Sequence, residues 1–125
     1  SRFGIDPKMP RKLLHKMYHE WLKNSVNGQI ADRVLVIKNK NIINGMITLG
    51  YKNKRGDIGL TAVNAKFQGK NLGTKLVQAA QRYFIQKGYT QAQVVTQKTN
   101  IGACKLYEKC GFQLEKLDNF YHFWL

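Results

Sequence analysis

The chain has 125 residues, of which 43% are hydrophobic and 22% charged, so it can bury one core but is too short for two domains. This composition argues against intrinsic disorder, and no apolar stretch reaches the roughly 20 residues that a membrane helix requires. The 21 Lys and Arg residues against 7 Asp and Glu give a formal net charge of +14 and a pI near 10.0, which attracts polyanions. The basic residues are spread along the chain, however, so a solvated basic surface explains the charge equally well.

The chain starts at Ser1 without an apolar signal core, and we expect a fragment or a processed form. Cys104 and Cys110 lie six residues apart in one predicted helix and point to different faces, so they cannot form a disulfide there and are expected to be reduced. His15 and His19 are four residues apart without the carboxylate pattern of a metalloprotease. We therefore expect no metal, a cytoplasmic protein and no membrane partner.

The first half of the chain predicts one helix and three strands. Residues 10–24 have apolar positions at helical spacing, and that apolar stripe includes Trp21. The β-branched run at 33–37 and the stretches 42–51 and 58–63 are typical of strands and are separated by turn residues. We expect these three strands to form an antiparallel meander.

The second half predicts two helices and three short strands. Apolar residues recur at helical spacing from Leu72 to Phe84, and Gly88 marks the end of that helix. A strand at 93–96 follows, then a helix that Asn100 can cap and that stops at Gly111. Two closing strands at 112–115 and 120–125 complete a mixed α/β domain.

The segment between the third strand and the second helix is a candidate anion site. The first N–H groups of a helix have no internal partner and carry partial positive charge, so a diphosphate can accept several of them at once. Glycines allow close approach of the chain and a lysine adds charge, although the pattern is neither a Walker loop nor a dinucleotide fingerprint. The residues are Gln68, Gly69, Lys70, Asn71, Leu72, Gly73 and Thr74.

A second motif follows about thirty residues later and contains Asn100, Ala103, Leu106, Tyr107, Gly111 and Phe112. With the glycine-containing segment before it, the chain resembles the GNAT superfamily of acetyl-CoA-dependent N-acetyltransferases from residue 58 to residue 112. The resemblance implies a mixed, mostly antiparallel sheet flanked by helices, and acetyl-CoA as cosubstrate. It also implies one GNAT domain over residues 1–125 that lacks an N-terminal strand or helix.

The resemblance also assigns roles to residues. Backbone amides of residues 68–74 hold the coenzyme A pyrophosphate, and the pantetheine arm lies where the strand at 60–63 separates from the strand at 93–96. Tyr107 is the general acid, and the implied cofactor contacts outside residues 68–74 are Leu60, Ala62, Val63, Asn100, Ala103 and Tyr107. The family usually has Gly or Ala where Asn71 stands; a side chain is tolerated there if the backbone φ is helical, whereas a tight approach to the cofactor would weaken binding.

A closer resemblance, to the TDP-fucosamine N-acetyltransferase group, runs from the Ser1-Arg2-Phe3 start to the aromatic C-terminus. It implies that the acceptor is the 4-amino group of a TDP-linked deoxyaminosugar used for surface polysaccharide. Arg2 or Lys52 can reach the sugar-nucleotide diphosphate, and Phe3 or Trp21 can stack on a ring. Each also has a structural interpretation, since Trp21 lies on the apolar stripe and Lys52 in a turn.

Several alternatives stay open. Tyr107 can donate a proton, since a phenol with a pKa of about 10 is protonated at neutral pH, but it also shares a helix stripe with core residues. The acids to consider as general base are Asp57 and Glu20, or ordered water. The acceptor can instead be a peptide or another small amine, a homodimer is open, and a basic nucleic-acid-binding module is the alternative from another class.

Overall fold

A computed structural model describes residues 8–26, 33–67, 71–96, 99–115 and 120–125. The predicted helices and strands are present, with a strand at residues 8 and 9 that the sequence pattern did not predict. The element from Arg55 begins three residues earlier than expected and the one from Gln91 two residues earlier, because the hairpin and parallel pairing extend them. The elements are β1 Lys8–Met9, α1 Arg11–Val26, β2 Arg33–Asn39, β3 Ile42–Lys52, β4 Arg55–Asn64, α2 Leu72–Gln86, β5 Gln91–Val95, α3 Ile101–Lys109, β6 Gln113–Leu114 and β7 Phe120–Trp124.

The strands form one mixed sheet with the order β2-β3-β4-β5-β7-β6. The first three of these are the predicted antiparallel meander, and β7 runs antiparallel to both β5 and β6. β4 and β5 are parallel but pair only from Gly56 to Ile58. β1 pairs in parallel with the far end of β4, at Val63 and Asn64. No helix of the described ranges is long and apolar enough to span a bilayer.

The two faces of the sheet carry different helices. α2 and α3 pack on one face through a core that includes Phe84 and Tyr107, whereas α1 packs on the other through Leu14. The predicted apolar stripe of α1 is only partly buried, since Leu13 and Leu22 are 44% and 38% exposed. α1 therefore buries a narrower apolar face against the sheet than the spacing of its apolar residues indicated.

A β-bulge interrupts β4 where its pairing with β5 ends. Ile47 lies opposite Thr61 and Leu49 opposite Ile58, so two residues of β4, 59 and 60, face the single residue Thr48. The Thr48 Oγ1 atom accepts a hydrogen bond from the Leu60 N–H at 2.9 Å. A Cβ atom at residue 59 would lie 2.6 Å from this oxygen, which explains the glycine there.

The bulge also reverses the direction in which successive side chains of β4 point. Before it, Gly56 lies against Phe84 of α2 and Ile58 belongs to the same core. After it, Thr61 and Val63 face α2 and α3, because the extra residue shifts the two-residue alternation by one. The bulge therefore decides which side chains of β4 meet α3.

We expect Thr48→Val to lower the free energy of unfolding by about 1–3 kcal/mol, because the buried Leu60 N–H loses its acceptor. Amide exchange of Leu60 should become faster in the variant, as measured by NMR. Thr48→Ser keeps the hydroxyl and should retain most of the stability. Wild-type stability in Thr48→Val would show that the hydrogen bond contributes nothing to the stability of the bulge.

Candidate active site

The edge of β4 that faces β5 is open over a short stretch. β3 pairs with one edge of β4. On the other edge, pairing with β5 ends at Ile58 opposite Val94, and β1 pairs only with Val63 and Asn64. Among the described strands, none pairs with this edge over residues 59–62. The separation of β4 from β5 that the family resemblance implied is thus present, and its cause is the bulge.

The three predicted contact residues on or near this stretch point in two directions. Leu60 and Ala62 are buried in the core beneath α1. Val63 is buried in the core beneath α2 and α3, and Thr61, which the sequence did not single out, points to α3. The open edge itself consists of backbone N–H and C=O groups, which an extended ligand can bind as a neighbouring strand would.

The start of α2 presents free backbone amides. The first helical hydrogen bond runs from the Lys75 N–H to the Asn71 carbonyl oxygen at 3.0 Å. The N–H groups of Leu72, Gly73 and Thr74 precede it and have no acceptor within the helix. The side chain of Asn71 does not cap the helix, and the first turn contains no acidic residue. These features suit an anion, while residues 68–70 of the predicted loop lie outside the described ranges.

Asn71 has a left-handed backbone conformation, with φ 56° and ψ 31°. Of the conditions left open from the sequence, a helical φ is thus not the one that Asn71 adopts, and its positive φ lies in a region that Gly adopts at no steric cost. Asn adopts this region more readily than other residues with a side chain. Its Oδ1 atom lies 3.4 Å from Nζ of Lys109, which places a lysine of α3 beside the start of α2.

Gly73 has a packing role. A Cβ atom there would lie 3.2 Å from Leu106 of α3, so the absent side chain lets α2 and α3 approach each other. The sequence had assigned this glycine to close approach of a phosphate. Thr74 and Leu72 are half-buried in the same turn.

Asn100 caps α3 as predicted, because its Oδ1 atom accepts a hydrogen bond from the Ala103 N–H at 2.9 Å. Ala103 is completely buried in the core, so its contribution is packing in this structure. The cap fixes the first turn of the helix that carries Tyr107.

Tyr107 is completely buried, yet its hydroxyl reaches the splayed strand. The ring packs against Phe112 and Tyr121, with centroid distances of 5.8 and 6.4 Å. Its hydroxyl donates to the Thr61 Oγ1 atom at 3.0 Å, and Thr61 is also completely buried. Burial raises the pKa of Tyr107 to about 12, despite the opposing effect of the Thr61 hydrogen bond. The phenol is therefore protonated at neutral pH, and the side chain is a core aromatic whose hydroxyl reaches Thr61 of β4.

The opposite face of the sheet carries a polar cluster that sequence reasoning largely missed. Gln93 Nε2 donates to Asp57 Oδ1 at 2.9 Å, Arg55 forms an ion pair with Glu115, and His122 Nδ1 lies 3.2 Å from the same Glu115 oxygen. A cavity of about 300 Å³ adjoins this cluster and is lined by Asn53, Arg55, Gln93, Glu115 and Phe120. The sequence indicated only Asp57, since the other residues come from separate strands and meet through pairing.

Of the four predicted acceptor contacts, the structure describes only Trp21 and Lys52. Trp21 is half-buried on α1, and its buried Nε1 atom has no hydrogen-bond partner in the described part of the chain. Lys52 is exposed at the end of β3. Arg2 and Phe3 lie outside the described ranges.

Cys104 and Cys110 belong to α3 and its end, whereas His15 belongs to α1. Cys104 and Cys110 are half-buried and do not form a disulfide, and His15 Nε2 accepts the Ile43 N–H at 3.2 Å. Within the described ranges, no group of three or more His, Cys, Asp or Glu residues converges.

Two curated proteins are similar to this chain in sequence. Spore coat polysaccharide biosynthesis protein SpsD of Bacillus subtilis is 27% identical over 124 residues, covering 99% of this chain and 43% of that protein. N-alpha-acetyltransferase 30 of Xenopus laevis is 36% identical over 63 residues, covering 50% of this chain and 23% of that protein. The chain spans less than half the length of these curated relatives.

Solved structures share the fold. PaiA N-acetyltransferase from Thermoplasma acidophilum in complex with coenzyme A has a TM-score of 0.72 at 18% identity, covering 89% of this chain and 70% of that one. A GNAT family acetyltransferase from Elizabethkingia anophelis with acetyl-CoA bound has a TM-score of 0.70 at 19% identity, covering 85% and 82%. The family model of the GNAT acetyltransferases matches residues 5–112. The chain therefore belongs to the GNAT acetyltransferase family.

Proposed function

We propose that this chain transfers an acetyl group from acetyl-CoA to an amine. The observation that carries the proposal is the open edge of β4 at 59–62, beside the hydroxyl of Tyr107 and followed along the chain by the uncapped start of α2. An extended thioester arm can pair with that edge while its diphosphate accepts the first amides of the helix. Neither feature is needed for the stability of the sheet alone.

In this proposal the cofactor contacts are those that the family resemblance implied. Residues 68–74 take the pyrophosphate, with Lys109 adding positive charge beside Asn71. Leu60, Ala62 and Val63 contribute their backbone along the arm, and Asn100 stands at the start of α3. Ala103 acts by closing the core behind Tyr107 rather than by contact with the arm.

The chemistry requires a neutral amine, a donor for the oxyanion and a proton for the leaving thiolate. The oxyanion donor is a backbone N–H of the open stretch of β4, which ends where β1 pairs with Val63. Tyr107 supplies the proton, because its phenol is protonated and its hydroxyl lies at the strand. Asp57 is the general base, since its carboxylate lies two residues before the bulge and is held by Gln93, whereas Glu20 is exposed on α1.

We further propose that the acceptor is the 4-amino group of a TDP-linked deoxyaminosugar for surface polysaccharide. The likeness to SpsD, whose name refers to spore coat polysaccharide biosynthesis, extends over almost the whole chain and supports this substrate class. The polar cavity over Gln93 suits a hydroxylated, amine-bearing ring. A thermal-shift panel of acetyl-CoA, CoA, TDP- and UDP-aminosugars, an acceptor peptide and a short DNA duplex tests the assignment. A shift with the duplex alone would contradict it.

Thr74→Asp should weaken acetyl-CoA binding roughly 10-fold, because a carboxylate in the first turn of α2 repels the diphosphate. The same change should leave stability unchanged or slightly higher, since it complements the helix dipole. Calorimetry and thermal denaturation measure the two effects, with Thr74→Asn as the uncharged control. Equal affinity in both variants at low salt would place the diphosphate elsewhere.

Tyr107→Phe should reduce turnover by roughly 10²–10⁴, the usual range for a general acid, with little change in acetyl-CoA affinity. The variant keeps the ring and its packing. Steady-state kinetics with the best acceptor of the panel provides the measurement. An unaltered rate would assign Tyr107 to packing only.

Asp57→Asn should lower kcat/KM at neutral pH by roughly 10²-fold, because the acceptor ammonium loses its proton acceptor. The deficit should shrink as pH rises, since the free amine then forms without help. Glu20→Gln is the matched exchange at the exposed acid and should behave like the wild type. A deficit that stays constant from pH 7 to about 9.5 would remove Asp57 from this role.

A further inference from the structure

The partner of the Tyr107 hydroxyl is a residue that neither the sequence motifs nor the family resemblance indicated. Thr61 lies in the middle of the open stretch of β4, and its side chain is as completely buried as the tyrosine. The hydroxyl–hydroxyl distance is 3.0 Å. A Val side chain would fill nearly the same space in this core, so packing alone does not require a hydroxyl.

The bulge explains how the two hydroxyls meet. In β4, residues 59 and 60 together lie opposite Thr48. In a strand without this bulge, residue 61 would point to the face covered by α1, since alternate strand residues face opposite sides. The hydrogen bond from the Leu60 N–H to Thr48 holds the bulge. The bulge therefore places the Thr61 hydroxyl, rather than the side chain of Leu60 or Ala62, toward α3.

A hydroxyl pair can reverse its hydrogen bond by rotation, because each group is both a donor and an acceptor. With no acceptor in the cleft, the Tyr107 O–H donates to Thr61. When a sulfur atom stands at the open edge, the Thr61 O–H can donate to the tyrosine oxygen instead, which frees the phenol proton.

We propose that Thr61 is a positioning residue for proton transfer from Tyr107, and this inference rests on the proposed acetyl transfer. As the tetrahedral intermediate collapses, the C–S bond breaks and its electron pair remains on sulfur. The Tyr107 proton moves to that sulfur to form the thiol of CoA. The resulting phenolate accepts the Thr61 O–H and later regains a proton, equivalent to the one that the amine released, through solvent.

The stabilisation is large because the phenolate forms in a buried site. Burial is the largest cause of the raised pKa of Tyr107, so a phenolate without a hydrogen-bond donor is costly there. A hydrogen bond from a neutral donor to a charged oxygen offsets more of this cost than one between neutral groups. Thr61 thus acts on the transition state for departure of the thiolate rather than on cofactor binding.

The test compares Thr61→Val, Thr61→Ser, Tyr107→Phe and the double variant Thr61→Val/Tyr107→Phe, using acetyl-CoA and the best amine acceptor of the wild-type panel. Thr61→Val should lower kcat roughly 10- to 100-fold, with the KM for acetyl-CoA within about 2-fold, since the lost bond is made to a charged group. Thr61→Ser should recover most of the rate. Thr90→Val, at an exposed threonine, is the matched control and should equal the wild type.

The double variant separates positioning from a general structural effect. If Thr61 acts through Tyr107, removing its hydroxyl should cost nothing further once the phenol is absent. A multiplicative loss in the double variant, or a wild-type kcat in Thr61→Val, would overturn the proposal. A wild-type protein that does not bind acetyl-CoA would instead refute the proposed function, before any variant is compared.

Discussion

The hydrogen bond from the Leu60 N–H to the Thr48 hydroxyl holds the feature on which the rest of the site depends. It fixes the bulge in β4, where residues 59 and 60 lie opposite Thr48, and the regular ladder with β5 ends directly before it. A buried N–H without an acceptor is costly, so the Thr48 side chain of the neighbouring strand β3 stabilises the bulge. The same bulge opens a backbone edge and turns Thr61 toward Tyr107.

The charged and dipolar groups near the open edge of β4 differ between the two faces of the sheet. The chain carries +14 overall, and the start of α2 adds backbone amides with no acidic residue in its first turn. The other face of the sheet holds Asp57 and Glu115, two of the seven acidic residues. In the proposed function, the anionic carrier meets the amides of α2 and the cationic amine meets Asp57, on the two sides of the open edge of β4.

The motif-bearing half of the chain was predictable because its signals are local. The stripe of α2, the Asn100 cap and the end of α3 at Cys110 depend on neighbouring residues and emerged nearly as expected. The first strand was missed, since two residues carry no periodicity and pair with β4 across more than fifty residues. The burial of α1 was overestimated because amphipathic spacing gives a face but not the width that the sheet covers.

The sequence by itself determined the fold class, the order of the elements after β1, a candidate anion site at the start of α2 and the placement of Tyr107 in a helix that ends before Phe112. These follow from spacing, capping chemistry and family motifs, all of which act over a few residues. Only the tertiary structure decided that Asn71 is left-handed, that Gly73 makes room for Leu106, and that Tyr107 meets Thr61. Such contacts depend on strand register, and the one extra residue in β4, which the local sequence marks only by Gly59, changes that register.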